Sequence, residues 1–370
     1  MTSRDKASLL LLSGGSLVGQ NIVQGLAHRR SALRLVVTNS LGDEPSLADF
    51  DAVHLVPSTR SHPKEFAQTV EKLIDSEKPD LVIPCRDDDV LVIALLAQRR
   101  PDLASRLLCG SVDVARATLD KWLSVQFSQT HGLPFVPTWV PNETASIEEF
   151  IIEQGFPLLI KPRLGFASRG VRIVLNRQQL ESAIDDNSVL VQRYLGDTGL
   201  LQDYLANMEA HGIPLFHSLE EVKHSLQGMI GPNGEIVGVY TTLHRMAQGI
   251  SLDIIQDTSE DSVELCQQCV GVFAKAGWRG PINIQCQRAP DGRLYIYEYN
   301  GRFTGATAAR VLLGYDEIAM ALSRFAGILV DPMPPTGTPR VVKQPVSRNT
   351  PKVLTSALED SGMWAADADR

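Results

Sequence analysis

Short apolar runs alternate with amphipathic stretches along the first third of the chain. "ASLLLLSGG" (7–15) is a buried strand stopped by glycines, and "SLVGQNIVQGLAHRR" follows with helical spacing. "ALRLVVTNS" (32–40) predicts a second strand, "EFAQTVEKLIDSEKP" an amphipathic helix, "DLVIPC" a third strand and "DDDVLVIALLAQRRPDL" a further helix. Strand–helix alternation of this kind predicts an open parallel sheet with crossover helices, an α/β domain over residues 1–115.

From residue 116 the pattern changes. "ATLDKWLSVQFSQTHGL" predicts one helix ending at Gly132, "PFVPTWVP" an extended piece and "SIEEFIIEQG" a second helix. "FPLLIKPRLGFASRGVRIV" reads strand, glycine-punctuated loop, strand, followed by a helix ("RQQLESAI") and a strand ("SVLVQRYL"). "QDYLANMEAHG" is predicted helical. "VKHSLQGMIGPNGEIVGVYTTLH" predicts a hairpin across Pro-Asn-Gly, and "INIQCQRAPDGRLYIYEYN" a second one across Asp-Gly, with an amphipathic helix between them. The expected organisation is therefore α/β followed by α+β, with domains at 1–115, 116–190 and 191–330. The tail at 331–370 is rich in proline, and within it "PRVVKQPV" is a candidate edge strand.

Composition narrows the function classes. A hydrophobic fraction of 44% and a charged fraction of 21% in 370 residues are those of a folded globular protein. A formal charge of −8 argues against a nucleic-acid partner. The apolar run near the N-terminus is too short for a signal core or a membrane span. Five cysteines, an odd number, predict reduced thiols and a cytoplasmic setting, and Cys266-x-x-Cys269 reads as core packing.

The glycines of "SGGSLVGQ" invite a dinucleotide site, but Ser16 replaces the middle glycine. Thr38-Asn39-Ser40 stands where an acid should hold the ribose. These glycines are instead expected to make a tight strand-to-helix turn. Asp87-Asp88-Asp89 is expected to open a helix, where carboxylates suit the dipole.

The second hairpin carries the chemistry. With an even loop centred on Asp291-Gly292, Gln285 pairs with Glu298 and Asn283 with Asn300, so the four share a face; Ile284, Cys286, Tyr297 and Tyr299 are expected on the other. One carboxylate among carboxamides suits Mg²⁺ bound together with phosphate oxygens, and Arg302 follows at once. Alone, the same pattern also fits a solvated sheet face. Lys161 at the end of a buried strand adds a point charge for phosphate, and the loop with Gly165, Ser168 and Gly170 adds backbone and hydroxyl donors. No Walker sequence is present.

Taken in order, these motifs resemble the ATP-grasp superfamily, in its carbamoyl-phosphate-synthetase-like branch of carboxylate–amine ligases, over about residues 8 to 330. The resemblance implies an N-terminal pre-ATP-grasp domain and two α+β subdomains clasping ATP. It implies Lys121 and Lys161 as phosphate lysines and residues 163–170 as the lid. Gln192 would lie at the adenine amine, with the backbones of Arg193 and Leu195 at the ring edge. Gln285, Glu298 and Asn300 would hold two Mg²⁺ ions, Mn²⁺ being an alternative, with Arg302 on the phosphates. The chain departs from the pattern at Gly301, where proline is common, and at the ribose acid, assigned to Glu221 because Lys223 occupies the expected place.

The implied reaction joins a small carboxylate, amino-acid-like, to an amine through an acyl phosphate. Arg245 is the candidate for the substrate carboxylate and Arg86 a second one. Carboxylation through carboxyphosphate and a catalytically silent ATP-binding protein are the alternatives, and a homodimer through the N-terminal domain is compatible with the reading.

Overall fold

The computed structural model describes residues 6–144, 146–165, 169–184, 188–214, 222–247, 250–334, 337–344 and 346–366. Its first unit contains β1 (Ala7–Leu12), α1 (Leu17–Gly25), β2 (Leu33–Asn39), β3 (Ala52–Leu55), α2 (Pro63–Glu77), β4 (Leu81–Pro84) and α3 (Asp87–Arg99). The four strands are parallel in the order β3-β2-β1-β4. Leu9 to Leu12 are all fully buried, because crossover helices cover both faces of a parallel sheet. The glycine turn after β1 is tight. A Cβ on Gly19 would lie 2.0 Å from the carbonyl oxygen of Gly14, so only glycine lets α1 start against the turn.

The predicted single helix after residue 116 is two: α4 (Val112–Leu119) and α5 (Lys121–Thr130). The break is at Asp120, whose extended backbone ends α4 and whose carboxylate accepts from the N–H groups of Trp122 and Leu123, capping α5. There follow β5 (Thr138–Trp139), α6 (Ile147–Gln154), β6 (Leu158–Pro162), β7 (Arg172–Val174), α7 (Arg177–Ala183) and β8 (Val189–Arg193). They form an antiparallel sheet in the order β5-β8-β6-β7. All of β8 belongs to this sheet, so the subdomain edge falls after Arg193 rather than at 190.

After α8 (Thr198–His211) come β9 (Val222–Ile230), β10 (Ile236–Ala247), β11 (Ile250–Gln256), α9 (Glu260–Lys275), β12 (Gly280–Arg288) and β13 (Leu294–Asn300). The chain then runs through α10 (Thr307–Leu312), α11 (Glu317–Ala326), β14 (Arg340–Val342), α12 (Lys352–Ser361) and β15 (Met363–Ala365). The third sheet has the order β13-β12-β9-β10-β11-β14. Cys266, Cys269 and Cys286 are buried between it and α9, as core packing requires. The proline-rich tail does more than trail off. Its β14 extends this third sheet beside β11, whereas β15 extends the first sheet beside β3, so the tail spans both units.

Candidate ATP and metal site

The metal hairpin has the expected pairs, Asn283 with Asn300 and Gln285 with Glu298. It reaches them by a different route. At the loop end Cys286 pairs with Ile296 and Arg288 with Leu294, one residue off an even loop, and a bulge at Tyr297 restores the register. The bulge also turns Tyr297 onto the site face, contrary to the alternation expected from sequence. Its ring lies 4.8 Å from the Lys161 ammonium, while Tyr299, Ile284 and Cys286 remain in the core.

Cations from three elements surround this hairpin. Lys121, the first residue of α5, sits 3.8 Å from Glu298 and donates to the carbonyl of Gly165 at 3.0 Å. Lys161, on β6, is 9% exposed; burial pushes its pKa down to about 7, Glu298 opposing the shift and Lys121 and Lys223 adding to it. Lys223, on β9, approaches the Tyr297 ring at 5.6 Å and donates to Gln287. From sequence it stands only in the expected place of a ribose acid, yet its even spacing from Ser225, the partner of Gln285, puts it on the site face. Arg302 donates to Asp87 at 2.7 Å and to Asn300 at 2.9 Å.

Asp87 was likewise read only as a helix start. Beside it, Asp89 is fully buried beneath the glycine turn, where it accepts from Ser13 and Thr59. Burial raises its pKa to about 6 against those two bonds.

The donor set fits a divalent cation. Glu298 is partly exposed, Gln285 lies across from it, and the oxygen of Asn300 keeps a second lone pair beyond the one Arg302 occupies. Among the described residues no three His, Cys, Asp or Glu side chains cluster to make a metal site of their own. One carboxylate with carboxamides is therefore a partial shell, the kind Mg²⁺ completes with phosphate oxygens and water.

The loop expected to act as a lid is anchored at its start. Arg163 binds Asp120 at 2.8 Å and Glu143 at 2.8 Å, which ties the residues before Gly165 to the cap of α5. Gly170 has φ +77, and a Cβ there would meet Pro162 at 2.9 Å. Ser168 and Glu221 lie outside the described residues.

Of the residues expected near adenine, Gln192 is 1% exposed and donates to Thr138 at 3.0 Å. The N–H of Arg193 is engaged by the carbonyl of Pro137 at 3.1 Å, so any backbone contact from this residue to a base falls to its carbonyl. The Arg193 side chain pairs with Asp291, and Leu195 packs with Val136 and Ala289 against Tyr295 and Tyr297, an apolar patch beside the lysines.

Arg245 is not brought to this cluster. Its side chain is 58% exposed and lies 3.5 Å from Asp253, while its neighbour His244 is buried. Arg86 is the N-cap residue of α3.

No protein family's sequence profile matches the chain. It is 28% identical over 182 residues to phosphoribosylamine–glycine ligase of Ralstonia nicotianae, which covers 44% of this chain and 40% of that protein. It is 22% identical over 333 residues to the carbamoyl phosphate synthase large chain of Clavibacter michiganensis subsp. michiganensis, covering 83% of this chain and 27% of that one. The chain thus spans less than half the length of either relative. Among solved structures, N5-carboxyaminoimidazole synthetase from Staphylococcus aureus complexed with ADP superposes with a TM-score of 0.66 at 14% identity, over 88% of this chain and 78% of that one. No helix among the described residues is long and apolar enough to cross a membrane.

Proposed function

The chain is an ATP-grasp protein by fold and by its sequence relatives, and on that premise we propose that it is a carboxylate–amine ligase. It would form an amide or peptide bond through an acyl phosphate and release ADP and phosphate. The observation that carries this reading is the convergence of Lys121, Lys161, Lys223 and Arg302 on the face that bears Glu298. Four basic side chains against two carboxylates, Glu298 and Asp87, leave an excess of positive charge that a nucleoside triphosphate neutralises.

The chemistry asked of the protein is positioning and charge stabilisation. Lys121 and Lys161 would hold the phosphates and Arg302 would meet the transferring group, its guanidinium oriented by Asp87 and Asn300. Gln285, Glu298 and Asn300 would hold Mg²⁺, which supplies further neutralisation of phosphate charge. Tyr297 and Leu195 offer apolar surface to the base, with Gln192 and the carbonyl of Arg193 at its edge. Closure of the loop containing Gly165 and Gly170 would keep water from the acyl phosphate. The acid and the amine would be small molecules of amino-acid type, and the protein would work in the cytoplasm.

The test is phosphate release from Mg-ATP against amino acids, singly and in pairs, with Glu298→Gln in parallel. Release that depends on an amino acid and disappears in the variant supports the ligase. Release that needs bicarbonate instead assigns carboxylation through carboxyphosphate. Magnesium-dependent ATP binding with no release under either condition assigns a silent binding protein, and failure to bind ATP overturns the site.

A further inference from the structure

Lys343 belongs to the proline-rich tail, outside the resemblance to known ligases, yet its side chain is partly buried. Its backbone N–H donates to the carbonyl of Leu252 at 2.7 Å, continuing the pairing of β14 with β11. Val341, two residues earlier, packs with Ile254, Ala306 and Ala309, and by alternation Lys343 points to the same side. There its ammonium donates to the carbonyl of Gly305, three residues after Arg302. A Cβ on Gly305 would lie 2.8 Å from Leu17, at the start of α1, and 4.0 Å from the Lys343 nitrogen. The ammonium therefore sits where α1, the loop after β13 and the tail strand meet, at the seam between the first unit and the metal hairpin.

The buried charges beside it, Arg310 and Glu317, pair with each other and leave Lys343 without a counter-charge of its own. Among the described residues no carboxylate lies within ion-pair distance of Lys343. Arg310, on α10, is fully buried. It binds Glu317 at 2.6 Å, Thr304 at 2.9 Å and Thr307 at 3.2 Å, and Nη1 has no partner among the described residues. His244 is buried between the hydroxyls of Thr242 and Ser251, both at 2.9 Å. Its pKa falls to about 3, by burial first and then by Arg310 and Lys343, so it adds no charge of its own. Burial and Arg310 lower the pKa of Lys343 to about 8. The N-terminal end of α1, with no acidic residue in its first turn, adds to the same positive potential. A half-buried ammonium without an anion is costly, and an anionic ligand would relieve that cost.

We propose that Lys343, backed by Arg310, is the subsite for the carboxylate of the small-molecule substrate. This rests on the ligase reading of the neighbouring site and replaces Arg245 as the carboxylate ligand. The tail would thus contribute to the site, and a chain cut before β14 would lack the subsite.

The test is calorimetric binding of the protein amino acids, acetate, lactate and succinate to the full chain, with and without Mg-AMPPNP. It compares wild type with Lys343→Gln and Lys343→Arg. Glutamine keeps a donor for the Gly305 carbonyl but no charge, so a purely structural role would leave it like wild type. The expected result is a carboxylate bound by wild type, weakened at least about tenfold in K343Q and within about threefold in K343R, with AMPPNP affinity unchanged. Equal carboxylate binding by wild type and K343Q overturns the subsite, as does AMPPNP binding by a wild type that takes up none of the acids. A charge-dependent carboxylate site in a protein that does not bind AMPPNP would instead leave the subsite standing and remove the ATP reading.

Discussion

Asp87 opens α3 in the first unit and accepts a 2.7 Å hydrogen bond from Arg302, which follows the metal hairpin 215 residues later. The same nitrogen of Arg302 reaches the oxygen of Asn300, and its other terminal nitrogen reaches the carbonyl of Phe303 at 3.0 Å. One guanidinium is thus held by both α3 of the first unit and the hairpin.

If Arg302 stabilises the transferring phosphoryl group, Arg302→Ala should lower kcat about 10²–10³-fold, the range for losing a preorganised charge at a transition state. Asp87 acts only through the arginine. Asp87→Asn should therefore cost kcat about tenfold and leave the affinity for Mg-ATP within about twofold. Steady-state kinetics and nucleotide titration separate the two effects; a large loss of nucleotide affinity in Asp87→Asn would show that Arg302 serves ground-state binding instead.

Lys161 gives the site a pH dependence with a definite sign. Its pKa of about 7 in the free protein leaves the amine mostly neutral above that pH, while bound phosphates favour the ammonium. Nucleotide binding should therefore take up close to about one proton at pH 8 and little at pH 6. Affinity should weaken as pH rises above about 7. Calorimetry in buffers of different protonation enthalpy measures the uptake. Lys161→Arg stays charged throughout and should abolish both the uptake and the slope; equal slopes in the two proteins would assign the proton to another group.

The hairpin was legible because Asp291-Gly292 and the alternation on both strands fix which residues face each other near its open end. Its bulge was not. An even loop predicts the same pairs at Gln285 and Glu298 as the observed loop plus a bulged Tyr297, so two departures cancel at the metal positions and remain visible only in the tyrosine. The parallel sheet was legible in its three apolar runs, while β3 and β15 are too short and too near the edge for periodicity to mark them. The contacts of Lys223, Asp87 and Lys343 are not legible in the sequence, for a shared reason. Each is made with a partner distant in sequence, and a lone charged residue on a strand or helix end looks like solvated surface.

The turn under α1 should be intolerant of side chains. A methyl group on Gly19 would overlap the carbonyl of Gly14, which is backbone and cannot swing aside. Gly19→Ala should destabilise the protein by at least about 1–3 kcal/mol, the usual cost of overpacking. Urea unfolding followed by circular dichroism measures it; a neutral result would mean that the turn can open without loss elsewhere.

Gln227 sets stability against function. It lies in register with Asn283, which pairs in turn with Asn300, so three carboxamides run across β9, β12 and β13 on the site face. Its side chain is fully buried, and among the described residues neither its oxygen nor its nitrogen has a partner. An unsatisfied buried amide costs about 1–3 kcal/mol, so a purely structural position would favour an apolar residue of similar size. Gln227→Met should accordingly leave stability unchanged or raise it by about 1 kcal/mol. Turnover should fall if the amide is kept for a ligand or for the water that organises one. Unfolding and phosphate release on the same variant decide the matter. A less stable variant with wild-type turnover would mean that ordered water satisfies the amide in the folded protein and that the row ends, functionally, at Asn283.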